Sequence, residues 1–260
     1  MKNIFFYPLV LLVLLASTGC AQNGFSKFYT DFSQKYSNLD PATFQPLAAD
    51  QQPQLMLGTN LQQDSFSMQV NGYVPVGYSS FQGRLESVGN VLSQANKVGA
   101  THVLLYSSGV NSAAVSTYQM SDISVSNRFG ERPASEQTAR FSRGRGYLQA
   151  ASYWVERSRW EFGAYVEELS PDAKRAIGLE GGCQLAIVVA GTAADRAGLI
   201  SGDIVLQFAG NKVAGSQGFR EALKNNAADT VSLLVYRDGD FLEKAVQLKA
   251  ENNRLTAKTD

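Results

Sequence analysis

Three short motifs between residues 160 and 210 decide how the C-terminal part of the chain folds: WEFGAYV at 160–166, AADRAGL at 193–199 and SGDIV at 201–205. The first places a glycine before a strand in which apolar and polar residues alternate. The second is typical of a short helix that ends at glycine, and the third of a tight turn that leads into an apolar strand. Together they predict short strands and helices connected by glycine turns.

In this order and spacing, the three motifs resemble the PDZ domain of bacterial HtrA-type serine proteases, over roughly residues 158–250. The resemblance implies a partly open β-barrel with two helices, which we expect to occupy residues 156–250. It also implies a module that binds peptide and performs no chemistry. Residues 251–260 are expected to form a polar tail.

The resemblance assigns a peptide-binding role to the residues around the first glycine. PDZ domains bind an extended peptide as an added strand, in a groove between one strand and one helix. Gly163 would turn the backbone amides of its loop toward the C-terminal carboxylate of the ligand. Phe162 would line the pocket for the last side chain, and the strand with Ala164, Tyr165 and Val166 would pair with the peptide. Gly163→Asp is therefore expected to abolish binding.

The other side of the groove would be a helix that follows Ser216, which is expected to cap it. Phe219 and Leu223 are four residues apart and therefore share a helix face. They are the expected peptide contacts on this helix. The sequence leaves open whether both side chains face the groove or belong to the core.

Charge and composition limit the chemistry of the chain. The 23 Lys and Arg residues balance the 23 Asp and Glu residues, so no nucleic-acid partner is expected. The chain has one His and two Cys residues, which leaves few candidates for a metal site or a nucleophile. We expect no metal and no cofactor.

The N-terminus resembles the signal peptide of a bacterial lipoprotein. A positive start precedes an apolar run over residues 4–16, which is too short to span a bilayer. Ser17 to Cys20 resembles the lipobox, with cleavage after residue 19, which implies acylation (palmitate) of Cys20. Ala21 then implies retention at the outer membrane, on its periplasmic face. The alternative is an ordinary signal peptide that leaves Cys20 as a free thiol.

Cys183 lies in an apolar strand and is expected to be a buried structural thiol.

The region between the leader and the PDZ-like part is predicted to contain a tether over 20–53, which packs partly against the next domain, and a small α+β domain over 54–155, built as an α/β sandwich. Strands are predicted over 55–58, 67–78, 101–106 and 146–155, with further strand character over 115–125. A helix is predicted from Leu85 to Gly99. Pro75 predicts an edge strand or a bulge.

Residues 126–146 are rich in arginine and predict a solvated loop or hairpin, with binding of anionic lipid or nucleic acid as the alternative. This part also resembles an uncharacterised domain of bacterial envelope proteins.

Nothing in the sequence favours catalysis. The roughly 100 residues before the PDZ-like part are too few for a trypsin-like protease domain, and no Gly-Asn-Ser-Gly-Gly, Asp-Thr-Gly or His-Glu-x-x-His pattern occurs. The prediction is a non-catalytic lipoprotein that binds C-terminal tails or extended segments of envelope proteins, with a periplasmic protease as a further candidate partner. Three alternatives remain: a hydrolase that uses His102 and a serine of the first domain, a protease-regulatory protein, and a structural scaffold with an unused groove.

Overall fold

The computed structural model describes residues 23–32, 41–45, 47–48, 50–109 and 146–249. The predictions for the leader, Cys20, the arginine-rich region (apart from Gly146) and the polar tail lie outside these residues. Two units follow one another along the chain, and each is built around a sheet. No helix among the described residues is long and apolar enough to cross a membrane.

The first unit is a mixed sheet with helices on both faces. Its elements in chain order are α1 (Gly24–Lys27), β1 (Tyr29–Asp31), β2 (Gln54–Leu57), α2 (Leu61–Val70), β3 (Tyr73–Gly83), α3 (Val88–Val98), β4 (His102–Gly109) and β5 (Tyr147–Glu156). The strand order is β1-β3-β5-β4-β2, in which only the β2–β4 pair is parallel. A short 3₁₀ helix, Pro41–Thr43, precedes β2.

Two neighbouring residues of β5 show how both faces of this sheet are covered. Tyr153 is buried with Phe25 of the N-terminal segment and Val91 of α3. Trp154 is buried in a separate cluster that contains Met68 of α2. Because successive side chains of a strand point to opposite faces, the sheet lies between α1 and α3 on one side and α2 on the other.

Several predictions for the first unit need correction. Residues 67–70 belong to helix α2 and not to a strand, because the side chain of Asn60 accepts a hydrogen bond from the Gln63 amide and starts a helix there. Pro75 lies at a break in the β3–β5 register, which confirms the bulge, but β3 is not an edge strand. Helix α3 ends at Gly99 as predicted but begins at Val88, and Leu85 lies outside it and exposed.

The described part of the predicted tether belongs to the first unit. Strand β1 pairs with β3, and Phe25 and Phe32 are buried in the two clusters that cover the sheet. The first domain therefore begins about thirty residues before the predicted boundary at residue 54. Aromatic residues scattered through a polar segment were the sequence signal for this packing.

The second unit has the strand order β11-β10-β8-β7-β6, with β9 paired to β8. Its elements are β6 (Ala164–Glu168), α4 (Pro171–Ala176), β7 (Cys183–Val188), α5 (Ala193–Arg196), β8 (Ile204–Phe208), β9 (Asn211–Lys212), α6 (Ser216–Lys224), β10 (Thr230–Arg237) and β11 (Asp240–Gln247). Its sheet is not closed into a barrel, which corrects the barrel-like prediction. Ser170 caps α4, since its hydroxyl accepts a hydrogen bond from the Ala173 amide.

An apolar cluster joins the two units, and we call it the inter-unit contact. It buries Val74 and Val155 of the first unit against Trp160 and Val189, with Tyr165 packed at its side. The Ala190 amide also donates to the Val70 carbonyl at 2.8 Å, from the end of β7 to the end of α2. The groove strand β6 therefore lies beside the first unit.

Candidate peptide-binding groove

Strand β6 is an edge strand with hydrogen-bonding groups turned to its open side. The sheet ends at β6, so within the described residues only β7 pairs with it. The Val189 amide donates to the Gly163 carbonyl at 2.8 Å, next to the pair Ala164 and Val188. Because this bond joins the residues on either side, Ala164 and Val188 are a non-hydrogen-bonded pair of the antiparallel ladder. The amide and carbonyl of Ala164 consequently point away from β7, where a further strand can bind.

The loop before β6 requires glycine at position 163 for two reasons. Gly163 has φ +92°, in the left-handed region, and a Cβ there would overlap the side chain of Thr192. The Thr192 hydroxyl donates to the Val189 carbonyl at 2.6 Å and lies 3.2 Å from the Gly163 carbonyl. The Ala194 amide donates to the Phe162 carbonyl at 2.9 Å. Thr192 and Ala194, at the start of α5, therefore fix the conformation of this loop. The sequence did not indicate this contact.

Helix α6 runs beside β6 and is capped by a side chain from that strand. One oxygen of Glu168 accepts from the Ser216 amide at 2.7 Å, and the other lies 2.8 Å from Nζ of Lys174. Together these bonds, the Lys174 bond above all, lower the pKa of the Glu168 carboxyl. The predicted cap by the Ser216 side chain is wrong, because the N-cap residue is Gly215, where a Cβ would meet the Glu168 carboxylate.

A guanidinium lies across the open edge of β6. Nη2 of Arg220, on α6, donates to the Val166 carbonyl at 2.9 Å, and Nη1 lies 3.5 Å from the Ser216 hydroxyl. The Arg220 side chain is exposed. The contact shows that the Val166 carbonyl, like the groups of Ala164, faces α6 and not β7. Sequence reasoning missed Arg220, although its position four residues after Ser216 and three before Leu223 places all three on one helix face.

The aromatic residues predicted to touch peptide form the base of the groove. Phe162 is 3% exposed and Phe219 is 1% exposed, with ring centroids 5.2 Å apart. Phe219 also contacts Phe208 of β8, with a centroid distance of 5.8 Å. Phe219 is thus a core residue. This decides between the groove and the core, which the spacing of Phe219 left open. Leu223 is half-buried at the rim of the same cluster.

The side chain of Tyr165 does not face the groove, and the role of Tyr165 in the strand that would pair with the peptide stays a prediction. Ala164 and Val166 pack toward the core and α6, whereas Tyr165 packs toward the first unit. Its ring lies 5.4 Å from Trp160, and its hydroxyl donates to the Tyr73 carbonyl at 3.4 Å. The alternation of side chains along a strand explains the outcome, because adjacent residues cannot share a face.

Cys183 is a buried residue of β7, as predicted. Its side chain is fully buried in the second core, and this desolvation raises the pKa of the thiol to about 12. A thiol with that pKa remains protonated and unreactive at neutral pH.

His102 lies in β4 of the first unit, among aromatic and hydroxyl groups. Nε2 is 3.3 Å from the Tyr73 hydroxyl and Nδ1 is 3.0 Å from the Thr101 hydroxyl. The Tyr73 ring also stands edge-on to the imidazole, with a centroid distance of 4.5 Å. Burial lowers the pKa of the imidazole. Both of its ring nitrogens therefore have partners other than serine.

An open edge strand with a helix beside it is the arrangement that PDZ domains use to bind an extended peptide. The sequence over residues 163–248 matches the family model of the PDZ domain. These residues form a PDZ domain. It occupies about a third of the chain, and the match does not extend to the first unit. No curated protein matches the chain.

Solved structures with similarity to the chain include a PDZ domain and an HtrA-type protease. The crystal structure of the HtrA3 PDZ domain bound to a phage-derived ligand (FGRWV) is 21% identical, with 33% of this chain and 81% of that chain covered and a TM-score of 0.30. The HtrA-type protease AlgW with decapeptide is 20% identical, with 42% and 39% covered and a TM-score of 0.29. The same protease with tripeptide is 20% identical, with 41% and 40% covered and a TM-score of 0.30. The chain therefore matches well under half of the protease AlgW.

Proposed function

We propose that this protein binds the C-terminal tails or extended segments of envelope proteins through its PDZ domain. The observation that carries the proposal is the open edge of β6, where the amide and carbonyl of Ala164 point away from β7 and can pair with an added strand. A peptide in this position would form main-chain hydrogen bonds with β6, which supply affinity. Its alternate side chains would point toward α6, which supplies selectivity.

A C-terminal carboxylate would lie at the loop that precedes β6. Successive backbone amides around a left-handed glycine form a concave site for an anion, and Gly163 has that conformation. The half-buried Leu223 and the small side chain of Ala164 would contact the last side chain of the ligand. Phe162 and Phe219 would support that contact from below.

Binding of peptides from a library to the whole protein tests this proposal. Each selected peptide is compared with its amidated form, which differs only in the terminal carboxylate. We expect selective binding that is lost on amidation. Binding that survives amidation would favour extended internal segments instead, and the absence of any peptide binding would favour a structural scaffold.

We further propose that the protein is a lipoprotein of the outer membrane. The support is the sequence of the first twenty residues, with an apolar run followed by Cys20. Two or more acyl chains hold a protein firmly at a membrane, because each buried methylene contributes about 0.8 kcal/mol. Cys20→Ser should abolish labelling by radioactive palmitate and release the protein from the membrane fraction. Persistence in that fraction would contradict the lipid anchor. A periplasmic protease at the same membrane is a further candidate partner.

We propose that the protein acts without catalysis. The support is the environment of His102, whose ring nitrogens are 3.3 Å from Tyr73 and 3.0 Å from Thr101. Labelling by a fluorophosphonate probe that disappears in His102→Ala would contradict this proposal. We expect the two proteins to show no labelling.

A further inference from the structure

One end of the first unit carries a group of exposed apolar side chains around the start of α1 and α3. Phe28 and Val88 are each 47% exposed, Leu85 is 60% exposed and Tyr147 is 45% exposed. We call these four residues the α1–α3 face. Single exposed apolar residues are ordinary, whereas a contiguous group marks a contact surface.

Ring contacts and hydrogen bonds bring Phe28 and Leu85 to neighbouring positions of the sheet. Phe81 of β3 and Gln149 of β5 are directly opposite each other. The Phe28 ring stacks on the Phe81 ring, with a centroid distance of 5.8 Å. The Gln149 side chain donates to the carbonyl before Leu85 at 2.9 Å and accepts from the amide after it at 2.8 Å. Phe28 and Leu85 therefore lie over adjacent strands at the same level.

Tyr147 and Val88 extend this surface. Tyr147 is two residues before Gln149 on the same strand, so both side chains are on the same side of the sheet. Val88 begins α3, three residues after Leu85. The four residues of the α1–α3 face thus surround one end of the sheet.

The charges beside this face are basic and accessible, whereas the neighbouring acid has partners within the protein. Nζ of Lys27 lies 5.2 Å from the centroid of the Phe28 ring, and Lys27 and Arg84 are both exposed. One oxygen of Glu86 accepts from the Gly24 amide at 2.6 Å, and the other accepts from a side-chain amide of α3 at 2.9 Å. Apolar side chains next to cations are suited to a bilayer surface that contains anionic lipid.

The chain before α1 limits how far this face can lie from a lipid anchor. Gly24 is four residues after Cys20, and four residues span about 14 Å at most when fully extended. Glu86 binds Gly24 directly beside the α1–α3 face. Acyl chains on Cys20 would therefore hold the face next to the bilayer at a high effective concentration. A protein partner would have to enter that narrow gap, which favours the membrane itself as the occupant.

We propose that the α1–α3 face lies on the phospholipid surface of the membrane, an inference that rests on the proposed acylation of Cys20. Phe28 and Leu85 enter the boundary between headgroups and acyl chains, and Lys27 binds lipid phosphate groups. The anchor fixes the position of the protein at the membrane, and the face fixes its orientation.

This orientation leaves the PDZ domain accessible. Strand β5 runs from Tyr147 at the α1–α3 face to Glu156, next to the inter-unit contact. A strand of ten residues is about 30 Å long. The PDZ domain is attached at the far end of this strand, so contact of the face with lipid leaves the groove open to ligands.

The test compares a fluorescent label at Leu85 with the same label at Phe241. Leu85→Cys and Phe241→Cys are made separately in the full acylated chain and labelled with nitrobenzoxadiazole. Both native side chains are 60% exposed, so both labels are expected to be tolerated. Phe241 belongs to the second unit, and the buried Cys183 should not react. Each protein is incorporated into vesicles of phosphatidylethanolamine and phosphatidylglycerol, with or without a lipid that carries a spin label in its acyl chain.

We expect the spin-labelled lipid to quench the Leu85 label about threefold more strongly than the Phe241 label, because interfacial side chains lie within about 5–10 Å of the acyl boundary. Phe28→Ser in the Leu85-labelled protein should weaken the quenching. Phe66→Ser is the matched control, since Phe66 is an exposed aromatic residue of α2, on the opposite side of the sheet, and should have no effect.

Flotation of the same samples with the vesicles distinguishes failure of the face from failure of the anchor. Equal quenching of the two labels, or no quenching of either, in protein that floats would contradict the membrane contact and leave the lipid anchor intact. No quenching at Leu85 would then favour a protein as the occupant of the face. Protein that does not float would contradict the acylation of Cys20, and this inference with it.

Discussion

The two faces of β6 have different neighbours. On one face, Ala164 and Val166 lie beside α6, next to an exposed guanidinium and an open row of backbone groups. On the other face, Tyr165 packs against Trp160 and reaches the first unit. The first face is accessible and polar at its edge, whereas the second is apolar and closed. One short strand thus forms both the proposed binding surface and part of the contact that holds the two units together.

This difference separates residues that are expected to affect stability from those that are expected to affect binding. Side chains on the closed face exclude water, so their truncation should weaken the fold. Side chains at the open edge have little buried area to lose, and their truncation should change ligand affinity. The predictions below test this separation, in order of decreasing expected effect.

Trp160→Ala should be the most destabilising change. Trp160 is 4% exposed in the inter-unit contact, its Nε1 donates to the Arg157 carbonyl at 3.0 Å, and the Arg157 guanidinium lies 4.3 Å from its ring centroid. Removal of a buried indole should lower the free energy of unfolding by about 3–5 kcal/mol. Urea denaturation measures this loss, and Trp160→Phe should recover part of it. A change below about 1 kcal/mol would show that the inter-unit contact contributes little to stability.

Gly163→Ala should cost about 2–4 kcal/mol, because the left-handed conformation and the overlap with Thr192 both oppose a Cβ. Gly239→Ala is the matched control. Gly239 has φ +102°, but a Cβ there would meet nothing within 4 Å. The difference between the two variants in thermal denaturation isolates the overlap with Thr192, and equal losses would contradict it. Gly163→Asp consequently tests folding as well as binding.

Tyr165→Ala and Leu223→Ala should separate the two faces. We expect Tyr165→Ala to lower the free energy of unfolding by about 1–2 kcal/mol and to leave peptide affinity nearly unchanged. Leu223→Ala should weaken binding of a free C-terminal peptide by about tenfold. Fluorescence titration and urea denaturation of both variants provide the comparison. A larger loss of affinity in Tyr165→Ala would show that the Tyr165 side chain contributes to binding.

The smallest expected effect is a pH dependence of the folding stability that arises from the Glu168 carboxyl. The Lys174 bond lowers its pKa from the usual 4.5 in the folded state. A carboxyl whose pKa is lower in the folded state stabilises the fold above its usual pKa, and this contribution disappears as pH falls through the lowered value. NMR titration of the Glu168 carboxyl should give a midpoint below 4.5, and Glu168→Gln should flatten the stability profile in that range. A midpoint at or above 4.5 would contradict the ion pair and the cap of α6.

Local signals predicted much of the second unit. The glycine turn at 163 and the strand around Cys183 lie where the sequence indicated. Each depends on residues within a few positions of one another, because caps and turns are formed by neighbours. The same local logic failed in the first unit, where the Asn60 cap of α2 was not recognised and residues 67–70 were assigned to a strand.

The features that define the groove depend on residues far apart in sequence. Arg220 and Val166 are 54 positions apart, and Glu168 and Ser216 are 48 apart. The contact of Tyr165 with Tyr73 spans 92 positions. No periodicity or cap motif encodes such contacts, since they arise only when the strands and helices pack. The sequence therefore indicated which strand and helix form the groove, but not which of their side chains face it.

Hydrogen–deuterium exchange at the amide of Ala164 tests the central proposal most directly. A peptide that adds a strand to β6 must accept a hydrogen bond from this amide, which points to the open edge in the free protein. We predict that a selected peptide with a free C-terminus slows exchange at Ala164, and that its amidated form does so much less. Exchange at Ala164 that is unchanged while the same peptide binds elsewhere would contradict the account.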